Sequence, residues 1–156
     1  EIAQCLVGSE MCIRDSAILR PIGEGKPFHM YNTHLDHEFD EARVLGAKRL
    51  LEKMKEDQKT HPFPLMLTGD FNAHPDSEAI RLLREDAFGL IERTEGLGTT
   101  WHDYGRGNEP QIDYIFTRGM KAEGAAELWT QNLNGIYLSD HYPVAVELTR
   151  EDGETL

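Results

Sequence analysis

Four short polar clusters, each at the end of an apolar run, constrain this chain most: Asn32 to His37 (NTHLDH), Gly69 to Asn72 (GDFN), Ile112 to Phe116 (IDYIF) and Ser139 to Val144 (SDHYPV). A strand that stops in a carboxylate or an imidazole holds that group rigidly at the edge of a sheet. In an extended segment residues two apart share a face, so Asn32 goes with His34 and Asp70 with Asn72. Each pair is expected to point into one cleft.

The segments between the clusters supply the scaffold. Ala17 to Pro21 and Phe28 to Leu35 read as two strands joined by the turn IGEGKP, and the second delivers His34. From about Asp40 to Asp57 apolar residues recur at Val44, Ala47, Leu50, Leu51 and Met54, with Glu41, Arg43, Lys48, Glu52 and Lys53 on other faces. That spacing predicts a helix laid over a sheet. Pro62 and Pro64 end anything helical, and Leu65 to Thr68 then reads as a short buried strand running into GDFN. Asp76 or Ser77 caps a helix reaching about Arg84, with Ala79, Ile80, Leu82 and Leu83 inward. Further strands are expected at Ile112 to Thr117, Ala126 to Thr130 and Val144 to Leu148, and the tail from Arg150 reads as polar and frayed.

The residue types at the four clusters suit the cleavage of phosphate esters. Such a reaction needs a hard cation, oxygen ligands to hold it, and a His or Asp to take a proton from attacking water. His34, Asp70, Asn72, Asp113, Asp140 and His141 supply that kit. Taken singly, GDFN is also an ordinary strand-end turn, and either histidine alone reads as a satisfied, partly buried side chain. All four in order make those readings improbable for the set. Asp36, His37 and His74 lie beside the clusters and read as solvated loop residues, and His29, His61 and His102 carry no functional assignment.

The order and wording of the clusters resemble the endonuclease/exonuclease/phosphatase superfamily, which includes DNase I-like nucleases, abasic-site endonucleases, inositol polyphosphate phosphatases, sphingomyelinases and deadenylases. The resemblance runs from Phe28 to Leu148; GDFN and SDHYPV carry its specificity, whereas NTHL and IDYI alone are weak. It implies an α/β fold, the C-terminal half of a four-layer sandwich in which two packed, mostly antiparallel sheets are flanked by helices. It also implies roles. His34 contacts the scissile phosphate, Asp70 orients or deprotonates the water, Asn72 positions phosphate, and Asp113 orients and charge-stabilises His141. Asp140, with Asp70 and Asn72, is the implied ligand set for Mg2+ or Mn2+. The family often has an Arg near Arg43, which by itself reads as solvent-exposed. In the Gly96 to Gly107 stretch the family has a substrate-facing loop; Trp101 there either stacks on a base, sugar or lipid chain or plugs the sandwich edge.

The first residues read differently from the rest. Leu6 to Asp15, LVGSEMCIRD, back-translates in one frame into a widely used transposase-based sequencing adapter, and the flanking residues fit its continuation. Residues 1–16 are therefore expected to be adapter-derived and left out of fold reasoning, with a partial superfamily domain over 17–149 and a polar tail over 150–156. Cys5 and Cys12 both fall in that segment, so the rest of the chain has no cysteine from which to infer a redox compartment. The family's early Asn and metal-binding Glu precede the NTH cluster. Neither Glu10, in the adapter-like segment, nor Glu24, in a Gly-rich turn, substitutes for that Glu. The chain by itself is accordingly expected to be inactive.

Composition narrows the substrate. Leaving out Glu1, Glu10, Asp15 and Arg14 takes the formal net charge only from −12 to −10. With no basic run, the surface offers little to a nucleic-acid duplex. The expected function is metal-dependent hydrolysis of a phosphodiester by activated water, the partner being nucleic acid, a phospholipid head group or a small phosphodiester. The charge tilts this toward a head group, a smaller diester or a short single strand. The alternatives are a phosphomonoesterase acting on sugar or inositol phosphates and a non-catalytic binding relative. No apolar run approaches the length of a membrane span.

Overall fold

The computed structural model describes residues 13–22 and 25–150. The expectations for residues 1–12, Glu24 and the tail beyond residue 150 lie outside them.

Among the described residues the principal sheet has five strands. They are β1 (Ile13–Leu19), β2 (Phe28–His34), β3 (Leu65–Asp70), β4 (Ile91–Glu92) and β5 (Asp113–Arg118), in the order β1-β2-β3-β5-β4. Only β2 and β3 run parallel; the other neighbours are antiparallel. The parallel pair follows from its connection, because returning to the same end of a sheet takes a crossover, and helix α1 (Asp40–Thr60) provides it.

Helix α1 is held by one stripe, Gly46, Ala47, Leu50, Leu51 and Met54, all buried. Its shorter neighbour α2 (Glu78–Glu85) buries Ala79, Ile80 and Leu83 and is capped by the Ser77 hydroxyl, which accepts from the Ile80 N–H. Both helices share one core with Tyr31, Leu65, Leu67, Phe71, Tyr114 and Phe116 from the sheet segments. Side chains alternate along a strand, so the residues between these, Asn32, His34, Thr68, Asp70, Asp113 and Ile115, belong to the face turned away from the helices. Mixed sheets flanked by helices on one side form an α/β sandwich, with Asn32, His34, Asp70 and Asp113 on the open face.

Short strands finish the chain: β6 (Met120–Ala122), β7 (Glu127–Leu128), β8 (Val144–Ala145) and β9 (Leu148–Arg150). The single strand expected over Val144 to Leu148 is two, because β8 pairs with β7 while β9 pairs with β6. Arg150, expected in a frayed tail, is buried in β9, opposite Met120. The first strand is also longer toward its start than Ala17 to Pro21, since Ile13 to Ser16 continue the antiparallel ladder against β2.

Candidate active site

The site begins with register. His34, Asp70 and Asp113 are direct neighbours across β2, β3 and β5, so three chemically active side chains from distant parts of the sequence form one row. His34 Nε2 lies 3.5 Å from Asp70 Oδ2.

The GDFN cluster shows how sequence sets this row. Phe71 points into the core, fully buried, with its ring edge-on to Tyr114 at 5.4 Å and to Phe116 at 5.8 Å between centroids; such pairs contribute about 0.5–1.5 kcal/mol each beyond area burial. Its neighbours Asp70 and Asn72 thereby gain a fixed anchor. Gly69 has φ +146°, and a Cβ there would stand 1.8 Å from the Thr33 carbonyl oxygen, so the close approach of β2 and β3 admits only glycine. Asn72 adopts φ 46°; its N–H donates to Asp70 Oδ1 at 2.8 Å, and its Nδ2 donates to the Leu35 carbonyl at 2.9 Å.

From the fourth cluster comes His141, whose Nδ1 meets Asp113 Oδ2 at 2.9 Å. A carboxylate only accepts, so Nδ1–H donates, and Nε2 is the nitrogen turned toward Asp70. Nε2 lies 3.8 Å from Asp70 Oδ2. The hydrogen bond to Asp113 raises the His141 pKa above the ordinary imidazole value, overcoming burial. Burial is also the main cause that pushes the Asp70 carboxyl upward, with the Asp113 charge adding to it against the Asn72 N–H.

Asp140 is placed differently from the other five. Its main-chain carbonyl accepts from His102 N–H at 2.8 Å, and its carboxylate accepts from the Ser139 hydroxyl at 3.3 Å. Burial works against its ionisation, but its own N–H, the His141 charge and hydrogen bonds from Ser139 and Trp101 outweigh it and lower the pKa. Among the described residues the group whose ligand atoms all lie within 4.8 Å of one another is Asp70, Asp113 and His141.

An open cleft of about 410 Å³ leads to this cluster, lined by His37, Arg43, Asn72, Trp101 and His141 among others. Arg43 is not the solvent-exposed residue expected: its side chain is 13% exposed, it pairs with Asp40, and Nη1 donates to the Asp36 carbonyl at 2.9 Å. His37 and His74 also line the cleft, each about half exposed. Asp36 accepts from the N–H groups of Glu38 and Phe39 and so shapes the entry to α1. Trp101 forms an isolated bridge with His141. His102 is buried and stacked on Tyr142 at 3.9 Å, a packing role. Sequence reasoning missed Thr100 and Gln111, buried polar residues beside Asp113; a Thr in a Thr- and Gly-rich loop carries no signal of burial.

A mixed sheet with helices on one face and a carboxylate–imidazole row on the other defines an α/β sandwich carrying an acid–histidine site. The Endonuclease/Exonuclease/phosphatase family model matches residues 5–141. The chain belongs to that family, whose members are generally hydrolases acting on phosphate esters. Among solved structures, an endonuclease/exonuclease/phosphatase from Bacteroides vulgatus is 28% identical, with TM-score 0.79 over 90% of this chain and 56% of its own. A mannosyl-6-phosphatase from Bacteroides thetaiotaomicron is 26% identical, with TM-score 0.73 over 88% of this chain and 57% of its own. TDP2 of D. rerio, complexed with single strand DNA product, is 22% identical, with TM-score 0.70 over 96% and 66%, a likeness of fold. The chain thus spans little more than half the length of the first two structures. No curated protein sequence matches it significantly. Among the described residues no helix is long and apolar enough to cross a membrane.

Proposed function

We propose that the protein to which this chain belongs hydrolyses a phosphodiester by attack of an activated water, with Mg2+ or Mn2+ as cofactor. The observation that supports this most is the row of His34, Asp70 and Asp113 across three strands, with His141 bonded to Asp113.

Hard divalent cations take oxygen ligands; Asp70, Asn72 and Asp140 are the set that the family resemblance implies would hold the ion, and the closeness of Asp70 to Asp113 and His141, with ligand atoms within 4.8 Å of one another, supports Asp70 as the centre of it. When bound, the cation supplies charge for the nonbridging phosphate oxygens. The chain's own groups do the rest. Asp70 receives or orients the proton of the attacking water, a role supported by its place between His34 and Asp113. Asp113 fixes the His141 tautomer, leaving Nε2 toward the substrate. His34, beside Asp70, contacts the scissile phosphate, and the Asn72 amide helps position it.

Substrate remains with the diester reading, in which nucleic acid, a phospholipid head group and a small phosphodiester share the same reacting centre. Monoester cleavage on a sugar phosphate is the second reading, favoured by the likeness to the mannosyl-6-phosphatase. Rates on bis(p-nitrophenyl) phosphate against p-nitrophenyl phosphate and mannose 6-phosphate, using the full-length protein, separate them: faster diester turnover supports the first, and turnover confined to the monoesters overturns it. The boundaries 1–16, 17–149 and 150–156 belong to the same proposal. An uninterrupted gene reading through MCIRDS in the source DNA would sink the adapter assignment, and turnover by the 156-residue chain alone would sink its expected inactivity.

A further inference from the structure

We propose that Thr100 is a positioning residue that holds both partners of the Asp113–His141 pair in register, an inference that rests on the phosphoesterase reading above. Thr100 is fully buried. Its hydroxyl oxygen accepts from the Ile112 N–H at 3.0 Å and from the Asp113 N–H at 3.1 Å. Its carbonyl accepts from the Tyr142 N–H at 2.8 Å. The side chain therefore fixes the first residue of β5, while the main chain of the same residue fixes the segment just after His141.

The next residues extend the clasp. Trp101 bridges to His141, and the His102 N–H donates to the Asp140 carbonyl at 2.8 Å. Residues 100–102 thus lie between β5 and the loop of the fourth cluster, and these meet in the 2.9 Å hydrogen bond between Asp113 and His141. Both acceptor positions of one hydroxyl are occupied by backbone donors. Replacing Thr100 by valine keeps the shape and leaves the buried Ile112 N–H and the part-buried Asp113 N–H without this acceptor, which drives the start of β5 to shift. Because a misplacement of about 1 Å at a reacting pair costs about a hundredfold in rate, the shift reaches catalysis without touching substrate.

The test compares Thr100→Val and Thr100→Ser in the full-length protein. Two readouts apply: steady-state hydrolysis of bis(p-nitrophenyl) phosphate and p-nitrophenyl phosphate with Mg2+, and the NMR signal of the His141 Nδ1–H in the metal-free protein. Thr100→Val is expected to lower kcat about a hundredfold with KM unchanged, and to lose the hydrogen-bonded Nδ1–H signal. Thr100→Ser, which keeps the hydroxyl, is expected to retain both. A folded Thr100→Val with the wild-type kcat and signal overturns the proposal. So does a folded Thr100→Ser that loses the signal, an arm that stays readable if the valine variant fails to fold. If the wild-type protein turns over neither ester, the phosphoesterase reading falls by itself. The NMR comparison still decides the positioning role.

Discussion

Replacing Gly69 by alanine tests whether the row of His34, Asp70 and Asp113 depends on the close packing of β2 on β3. The backbone there has φ +146°, and the added Cβ would meet the Thr33 carbonyl oxygen at 1.8 Å. Holding an L side chain at such a φ costs about 1–3 kcal/mol. Relieving the overlap requires the strands to part by about 1.5 Å, since a carbon–oxygen contact settles near 3.3 Å. That displacement loosens hydrogen bonds of the ladder, each contributing about 0.5–1.5 kcal/mol net. A loss of about 3–5 kcal/mol follows from the two effects together, a large part of the margin of any domain. At about 2–4 °C per kcal/mol for a protein of this size class, thermal unfolding of the full-length protein should fall by about 10 °C. His34 and Asp70 occupy the next row of the same ladder, so turnover should fall by about a hundredfold even in molecules that remain folded. Calorimetry and steady-state rates on the same preparation measure both. A Gly69→Ala protein melting with the wild type and turning over at its rate would show that the row does not depend on this close approach.

Further outcomes follow from the caps and the titrating groups. Ser77→Ala removes the hydroxyl that accepts from Ile80 N–H at the start of α2; it should cost about 1 kcal/mol in denaturant unfolding and leave kcat unchanged. In the metal-free protein NMR titration should place the His141 pKa above the ordinary imidazole value, and Asp113→Asn should lower it, because the hydrogen bond to Asp113 is the largest cause of the rise. Since the folded value is the higher one, this pair's stabilisation is fully present below the unfolded pKa and is lost as pH rises through the folded pKa. Stability measured across that window should therefore decline less in Asp113→Asn than in the wild type; an equal decline contradicts the pairing.

Much of the framework was legible because its signals are local. The helical stripe ending at Met54 is α1, and the apolar runs before His34 and Asp70 are β2 and β3, since alternation or periodicity over several residues reports burial directly. Ser77 was recognisable as a cap for the same reason. The end of the chain was not, because β8 and β9 continue one apolar alternation while changing partner from β7 to β6, and partner choice leaves no local mark. Strands as short as β4 and β6 have too few residues to show a period. At the site, four of the six expected side chains converge, those of His34, Asp70, Asp113 and His141, and Asn72 joins them through the bond from its main-chain N–H to Asp70. Arg43 and Thr100 escaped because their burial depends on loops folding over them, which residue type does not announce.

Metal-assisted attack of water is tested by turnover of bis(p-nitrophenyl) phosphate by the full-length protein and its Asp70→Asn variant, with Mg2+, Mn2+ or EDTA. Turnover is expected with either cation and none with EDTA, and Asp70→Asn should lose at least about a hundredfold with the fold intact, the scale for removing a group that handles the water's proton. Turnover unaffected by EDTA, or an Asp70→Asn protein working at the wild-type rate, would contradict it.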